Sequence, residues 1–365
     1  MHTIEILKQD MKDTAYIGRG FLQNFNSCLS YYINSSLVLS TLRFIIPALV
    51  CGCHQDIMTE KDAIDVKSVT MMSHGLPVRN LDIFMFEDGE MRILDSYQKI
   101  DNVQGWEVTT ASRRGERLAF AVANGRWAKE DWMSVNSYEA LDKYRSYLEN
   151  ECYDYPVMSG TSHLYADGKQ TVWMELQSLS AEIILRSVSC DFSDKIYIRE
   201  EINDMKAYLI NVNAQCSLTS EGTMMPERII NMGELNDRDM AEMNEPGLLL
   251  RHVGQLASGQ SLELDFRFRC YPNDCLEESP GSPFTRLVLE GVIDGKTYYW
   301  PIDIGRKGHG YPDHGGISGN RRYIYDLTIT GKGGDNPDVP VSSKVLCSNL
   351  EIGEWKEKEE YVVGF

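Results

Sequence analysis

The sequence predicts a mostly β protein with two tandem antiparallel β-sandwich domains and one short helix in the first domain. Past residue 60 of the 365-residue chain, short runs of alternating apolar and polar residues recur between turn residues. Asp88-Gly89 and Asp294-Gly295 each stand between two apolar runs, which is a strong local signal for a β-hairpin. Strands at regular spacing with few crossover helices indicate antiparallel sheets packed face to face.

The first half of the chain carries strand patterns that end in turn residues. A tight hairpin is expected at Asp88-Gly89, because glycine supplies the positive φ that such a turn requires. Another run closes at Asn124-Gly125. The expected strands are 63–71, 81–86, 91–94, 117–123, 171–176, 181–188, 195–199 and 205–212.

One amphipathic helix is expected over 137–148, with Ser134 or Asn136 as its cap. Apolar side chains at helical spacing would share one face of this helix: Leu141, Tyr144 and Leu148.

The second half repeats the strand character after a long polar stretch. Residues 217–247 are rich in Glu, Asp, Asn, Met and Gly without periodicity, and we expect them to connect the two domains. The expected strands beyond them are 261–270, 285–293, 296–302, 321–330, 344–352 and 359–363.

The N-terminal region has the pattern of a lipoprotein signal peptide. A short apolar run, 44–50, follows Arg43 and is far shorter than the ~20 residues needed to span a bilayer. It ends in Val50-Cys51-Gly52-Cys53, where the small Gly52 suits signal-peptidase cleavage and the Cys53 thiol would receive the lipid. Cys51 is the poorer candidate, because bulky Val50 would precede the cut. The alternative is a buried core helix that contains two ordinary cysteines. The abrupt change to polar residues after Cys53 argues against it, because a core helix would continue its apolar pattern.

A leader of 52 residues is too long for a signal peptide, so we expect an over-extended start and exclude 1–36 from fold reasoning. Diacylglycerol and an N-acyl chain on Cys53 are the only cofactors expected, and more than one chain is needed for stable attachment at about 0.8 kcal/mol per buried CH₂. The expected organisation is a signal region at 1–52, a tether at 53–62, an N-terminal β-sandwich at 63–222 and a C-terminal β-sandwich at 223–365.

Charge and cysteine content limit the classes of partner. The chain has 36 basic and 54 acidic residues, and its net charge of −18 disfavours nucleic acid. This charge fits a protein crowded at a surface, and equally plain solubility. The nine cysteines form no CxxC pair past residue 53, so a zinc site is not expected. Cys270 and Cys275 are near enough to bridge a turn, although the sequence leaves all pairing open.

No motif for enzymatic chemistry is recognisable, and we expect no enzyme. The chain lacks a Gly-rich phosphate loop, a nucleophile elbow and an HExxH motif. The loop 305–316 holds His309, Asp313 and His314, which we interpret as a surface loop in preference to a metal site. Asp101 and His163 have no recognisable partners in the sequence.

The aromatic runs have two interpretations. Tyr298–Trp300 and Tyr323–Tyr325 lie inside expected strands, which favours core packing and cross-strand pairs. The alternative is a carbohydrate-binding face.

Several motifs, in order along the chain, resemble those of the fimbrillin and fimbrial-anchor lipoproteins of the Bacteroidales. They include the first-hairpin run Arg79–Phe86 before its Asp-Gly turn, and the strand Phe120–Asn124 that ends in Ala-Asn. The turn Tyr155–Gly160 is similar to the family's P-M-S-G turn, with Val157 as an insertion. The most extensive match is Gly319–Gly331, similar to N-x-x-Y-x-Y-D-I-T-I-T-G. With Cys53 and the late Trp355, these landmarks span most of the chain after the signal region.

The resemblance implies two transthyretin-like sandwiches, export as a lipoprotein and a place in a surface fimbrium. In that family, shaft subunits lose their first strand by proteolysis at a basic residue, and a neighbour's C-terminal strand fills the groove. Around the first expected strand this chain has Lys61 and Lys67, and its next arginine is Arg79. Without a clean arginine site, an uncleaved anchor or accessory subunit is expected. The run 361–365 would close its own sheet or serve a partner.

The resulting function hypothesis is a fimbrial anchor or accessory subunit, lipid-anchored and exposed at the cell outer membrane. It would take part in fimbrium (pilus) assembly and cell adhesion by strand exchange with other fimbrial subunits. The alternative is a glycan-binding surface lipoprotein of a nutrient-uptake system, which an exposed cluster of aromatics would favour. A hydrolase on a β-sandwich scaffold is a third hypothesis, and it would need convergent carboxylates in a concave site.

Overall fold

The structure is a computed structural model of a mostly β protein. It describes residues 64–73, 75–105, 107–168, 172–219, 225–307 and 313–354. Gly52, Cys53, the tether, the run 359–363 and Trp355 lie outside the described residues.

The strands in chain order are β1 (Ile64–Met72), β2 (Asn80–Glu87), β3 (Leu94–Asp101), β4 (Glu107–Ser112), β5 (Gly115–Ala123), β6 (Arg145–Tyr147), β7 (Met158–Ala166), β8 (Val172–Glu175), β9 (Gln177–Ser178), β10 (Ala181–Cys190), β11 (Glu201–Ile210), β12 (Val212–Asn213), β13 (Gln215–Ser217), β14 (Ile229–Ile230), β15 (Leu250–Ala257), β16 (Ser261–Cys270), β17 (Arg286–Ile293), β18 (Lys296–Asp303), β19 (Arg321–Ile329) and β20 (Leu346–Glu354). The helical segments among the described residues are α1 (Asp237–Glu242) and the 3₁₀ turns Lys129–Ser134, Tyr138–Lys143, Leu148–Asn150 and Pro246–Leu248.

The first sandwich packs a five-stranded sheet, ordered β3-β2-β5-β7-β9, against a three-stranded sheet, ordered β4-β1-β8. The central strands β2 and β5 are buried almost without interruption, as is typical of strands covered on both faces. One face, with Ile83 and Ala121, belongs to the core between the two sheets. The other face, with Phe84 and Phe120, packs beneath the 3₁₀ turns around Trp132.

The second sandwich consists of two four-stranded sheets, ordered β16-β10-β19-β20 and β15-β11-β17-β18. Strand β19 buries alternate residues and turns Tyr323, Tyr325, Leu327 and Ile329 inward. These residues and the Phe84 face of the first sandwich belong to one hydrophobic cluster. The described strands therefore share a core across the junction of the two sandwiches.

The sheet pairing does not follow the expected boundary at 222/223. Strand β10 pairs with β16 and β19, and β11 pairs with β15 and β17, so both strands belong to the second sandwich although they precede residue 222. The polar stretch 217–247 contributes β14, α1 and the core residues Met240 and Met243. Its lack of periodicity therefore reflects short irregular elements that pack on the core of the second sandwich. We propose that the boundary between the two sandwiches lies between β9 and β10.

The helix expected over 137–148 was wrong. The 3₁₀ turn Tyr138–Lys143 ends at Tyr144, whose backbone is extended (φ −89°, ψ 135°). The next residues form β6, which pairs with β13. Leu141 and Leu148 are buried as the amphipathic pattern predicted. A helix of this length is marginal on its own, so strand pairing to a distant segment overrides it.

Both Asp-Gly sequences join antiparallel strand pairs, β2–β3 and β17–β18, which confirms the two hairpins, but only one of the turns is tight. Asp294 and Gly295 have φ of 50° and 73° in a two-residue turn that pairs Ile293 with Lys296, which confirms the tight hairpin. The turn after β2 is longer: its positive φ lies at Arg92, and β3 begins at Leu94. The tight turn predicted at Asp88-Gly89 was therefore wrong.

Other strand predictions failed where tertiary contacts decide the backbone. Residues 195–199 form successive turns, with Tyr197 packed on Phe192 at 5.1 Å between ring centroids. Strands β4, β7 and β15 were not anticipated. Among the strands that the structure describes, two pairs, β1–β8 and β10–β19, are parallel within otherwise antiparallel sheets.

Candidate interaction site: the position of strand β1 and the free sheet edges

The first strand of the described chain occupies the middle of a sheet. β1 runs antiparallel to β4, with Ile64 opposite Ser112, and parallel to β8, with Val69 opposite Val172. A central strand forms hydrogen bonds on both edges, so the backbones of β4 and β8 both depend on it. A strand placed between β4 and β8 therefore has backbone partners along both of its edges.

The surface beneath the three-stranded sheet is an apolar core. The two strands that flank β1 form the walls of its position: β4 contributes Val108 to this core, and β8 contributes Val172 and Met174. Opposite them lie side chains of the five-stranded sheet: Leu81, Ile83, Met85, Ala119, Ala121, Ala123, Met158, Leu164 and Ala166. A strand between β4 and β8 would therefore lie over an apolar floor, which is the requirement for recognition by strand addition.

Contacts independent of β1 hold the β4 wall. The buried Asp95 on β3 accepts hydrogen bonds from Ser112 Oγ (2.8 Å) and Arg113 N (2.7 Å) at the end of β4. Arg117 Nε lies 3.3 Å from the same carboxylate. These bonds join the three-stranded sheet to the five-stranded sheet at this side.

The β8 wall is held by close backbone packing. A Cβ on Gly160 of β7 would lie 2.1 Å from the Glu175 carbonyl oxygen at the end of β8, so only glycine fits there. Ser162 Oγ donates to the Trp173 carbonyl at 3.1 Å. Both walls of the β1 position are therefore anchored by groups outside β1.

The second sandwich presents β20 as an edge strand. Within the described part of the chain, β20 pairs only with β19. Glu351 and Glu354 are exposed along it, which is a common protection of an edge against unwanted pairing. Arg186 bonds Asp326 on β19 through its Nε at 3.0 Å and reaches Glu351 at 3.4 Å. This hydrogen bond holds the pKa of Asp326 below its usual value.

A buried polar network lies at the junction of the sandwiches. Tyr271 Oη donates to Glu151 Oε1 at 2.8 Å and lies 2.7 Å from Ser146 Oγ. Arg269 Nη2 donates to the Tyr153 carbonyl at 3.1 Å and lies 3.9 Å from Glu182. Burial raises the pKa values of Glu151 and Tyr271. The side chains of Glu151, Tyr271 and Arg269 are buried, which gives the network a structural role.

Another buried carboxylate lies within the five-stranded sheet. Asp82 is fully buried and accepts from Tyr97 Oη at 2.6 Å, Trp132 Nε1 at 3.2 Å and Lys99 Nζ at 3.3 Å. Desolvation raises its pKa, and the three donors partly offset that effect. Because Trp132 belongs to a 3₁₀ turn, Asp82 ties that turn to the sheet.

The candidate site residues predicted from the sequence do not form a common site among the residues that the structure describes. The lipid-attachment residue Cys53 and the cleavage residue Gly52 lie outside the described residues. His309 does too, while Asp313 and His314 are exposed, and Asp313 Oδ1 accepts from Gly315 N at 2.8 Å. Among the residues that the structure describes, no group of three His, Cys, Asp or Glu side chains could hold a metal ion. No helix within these residues is long and apolar enough to cross a membrane.

His163 has a partner that the sequence did not reveal. Its Nδ1 lies 2.7 Å from Oδ2 of Asp88, the first residue of the turn that follows β2. Asp101 is exposed at the end of β3 and takes no part in this pair. A pair 75 residues apart in sequence leaves no local pattern that could have shown it.

The aromatic and cysteine predictions resolve differently. Trp300, Tyr323 and Tyr325 are buried, which confirms the interpretation as sandwich core for these three, while Tyr298 and Tyr299 are half-buried. Cys270 and Cys275 are both buried thiols, and they form no disulfide.

The fold is shared with solved structures of candidate cell adhesion proteins and of a fimbrilin. A candidate cell adhesion protein from Bacteroides eggerthii DSM 20697 gives a TM-score of 0.59 at 17% identity, covering 80% of this chain and 95% of that one. Another from Parabacteroides distasonis ATCC 8503 gives 0.58 at 14% identity, covering 82% and 98%. A fimbrilin from Porphyromonas gingivalis W83 gives 0.57 at 15% identity, covering 80% and 97%. No protein-family model matches the sequence, and no curated protein matches it. The chain thus has the fimbrillin-like fold that its strand motifs predicted.

Proposed function

We propose that this chain, which has a fimbrillin-like fold, is a subunit of a cell-surface fimbrium that takes part in assembly by β-strand complementation. The observation that carries the proposal is the central position of β1 between β4 and β8. The names of the proteins that share the fold, a fimbrilin and candidate cell adhesion proteins, support the same role. The proposal assigns no catalytic activity.

The physical basis is the cost of an empty β1 position. Without a strand there, the facing N–H and C=O groups of β4 and β8 would lose their partners, and the apolar floor would be exposed to water. A strand from a neighbouring subunit would restore the backbone bonds and place alternate side chains on that floor. The walls persist without β1 because Asp95 and the Gly160 contact hold them.

We further propose that the chain is an anchor or accessory subunit, held at the outer membrane surface by lipid on Cys53. Between the start of β1 and Arg79 the sequence offers Lys67 but no arginine for cleavage. A retained β1 and a retained lipid belong together, because cleavage after β1 would separate the folded domains from Cys53.

Palmitate labelling tests the anchor. Cells that express the full chain are labelled with radioactive palmitate, and Cys53→Ala is compared with the matched variant Cys51→Ala. We expect the label to be lost in Cys53→Ala and kept in Cys51→Ala. Label retained in Cys53→Ala would exclude this attachment site.

An engineered cut tests complementation. A thrombin site is inserted after Gly75, in the connection between β1 and β2, and the control carries the same site after Gly281 in an exposed loop of the second sandwich. After cleavage, we expect the first protein to exchange β1 for a synthetic peptide of residues 64–72, measured by fluorescence anisotropy. We also expect it to form multimers that the peptide blocks. If the cut protein stays monomeric and binds no peptide, or if the control behaves in the same way, the proposal fails.

A further inference from the structure

A polar cleft of about 410 Å³ lies where the two sandwiches meet. The first sandwich lines it with the start of β7, at Ser159–Thr161, and with β9. The second sandwich lines it with the turn before β19, at Ser318–Asn320, and with the turn after β16, at Pro272 and Asp274. Ligand sites commonly lie at such domain junctions and have volumes of about 300–1,000 Å³. The cleft is at the small end of that range.

The walls of the cleft are fixed before any ligand arrives. Asn320 Oδ1 accepts from Ser178 N at 3.2 Å, and Asn320 N donates to the Ser180 carbonyl at 3.2 Å. These bonds hold the turn before β19 against the strand that leaves the first sandwich. On the opposite side, Gly160 lies directly against the Glu175 backbone. A preorganised wall reduces the entropy lost on binding.

The lining offers groups that both donate and accept hydrogen bonds. Hydroxyls come from Ser159, Thr161 and Ser318, and amides from Gln177 and Asn320. Hydroxyls and amides can each do both, which matches the several hydroxyls of a sugar. The described lining residues include no Lys, Arg or His. With a chain net charge of −18, this lining disfavours phosphate, sulfate or carboxylate ligands.

One side of the cleft is apolar. Tyr138 is half-buried, lines the cleft and meets Phe120 edge to face, with ring centroids 5.8 Å apart. Phe120 and Leu218 border the cleft from the core, each only 1% exposed, so Tyr138 supplies the accessible apolar contact. A sugar ring has an apolar C–H face as well as a polar rim, so a surface of this mixed kind suits it. We propose that the cleft binds a neutral saccharide of one or two rings. This site differs from a platform of exposed strand aromatics, because its accessible aromatic side chain, Tyr138, belongs to a 3₁₀ turn.

Saturation-transfer NMR on the full chain tests the inference. The probes are galactose, mannose, N-acetylglucosamine and lactose, with 3′-sialyllactose as the anionic comparison and tetralysine as a cationic peptide. We expect transfer to at least one neutral sugar, with millimolar affinity in a titration, and weaker transfer to 3′-sialyllactose than to lactose.

A cleft-filling variant supplies the control. Thr161→Trp places an indole in the cleft from an exposed position on β7, and Thr109→Trp makes the same change at an exposed position on β4 outside it. We expect Thr161→Trp to weaken binding at least tenfold and Thr109→Trp to leave it unchanged, with both variants showing the thermal midpoint of the parent.

Three results would overturn the inference. They are no transfer to any neutral sugar, equal weakening by the two variants, and binding of tetralysine in preference to every sugar. The outcome is separate from strand complementation, because Thr161 lies outside β1, β4 and β8, and peptide exchange at the β1 position should be the same in Thr161→Trp.

Discussion

At the scale of single residues, buried polar groups determine how the irregular segments are held. Asp82 is the clearest case, since its one carboxylate accepts from Tyr97, Lys99 and Trp132. Nothing in the local sequence shows its burial, because an aspartate in an alternating strand ordinarily faces water. The partners are 15 to 50 residues away. Their meeting is a property of the folded sheet.

We predict that Asp82→Ala lowers the free energy of unfolding by about 3 kcal/mol, because removing one partner leaves buried donors unsatisfied. Urea denaturation monitored by tryptophan fluorescence measures this change. Asp101→Ala, on the neighbouring strand and exposed, is the control, with an expected change within about 0.5 kcal/mol. Equal effects of the two substitutions would show that the Asp82 contacts contribute little.

At the scale of elements, the conformation of a turn could be predicted from sequence where the turn residues alone determine the backbone dihedral angles. Asp294-Gly295 forms the predicted two-residue hairpin between β17 and β18. Asp88-Gly89 does not, because Tyr138 N donates to the Arg92 carbonyl and Leu94 N donates to the Asn136 carbonyl, which draws the turn toward another segment. The same competition converted the expected helix into a 3₁₀ turn followed by β6.

We predict that Gly295→Ala lowers the free energy of unfolding by about 1–2 kcal/mol, because a Cβ is disfavoured at a φ of 73°. The control is Gly281→Ala, in an exposed loop with no atom within 4 Å of the added Cβ. Its expected change is within about 0.5 kcal/mol. Thermal denaturation followed by circular dichroism distinguishes the two, and an unchanged midpoint for Gly295→Ala would contradict the strained-turn account.

At the scale of the whole molecule, the two sandwiches share a core and a buried polar network. The hydrophobic cluster runs from Phe84 to Leu346. Tyr271, just after β16, bonds Glu151 and lies within hydrogen-bond distance of Ser146, both of which precede β7. This continuity indicates that neither sandwich is an independent folding unit.

We therefore predict one calorimetric unfolding transition for the full chain, with equal calorimetric and van't Hoff enthalpies. Tyr271→Phe should destabilise it by about 1–3 kcal/mol while keeping one transition, because Glu151 and Ser146 lose a shared partner. Tyr165→Phe, at an exposed position, should have no measurable effect. Two resolved transitions in the parent protein would show that the sandwiches unfold separately.

The sequence by itself determined the β class, most of the strand positions in the second half, the Asp294 hairpin and the resemblance to fimbrillins. The β class, the strand positions and the hairpin follow from local periodicity and turn chemistry, which are properties of short segments. The resemblance rests on the order of the short motifs along the chain. The lipid on Cys53 remains a prediction of the sequence. Only the tertiary structure decided that β10 and β11 belong to the second sandwich, that two strand pairs are parallel and that β1 lies between β4 and β8. Strand pairing joins residues that are far apart in the chain. The backbone hydrogen bonds that hold paired strands use N–H and C=O groups common to nearly all residues, so the local sequence does not show which strands pair.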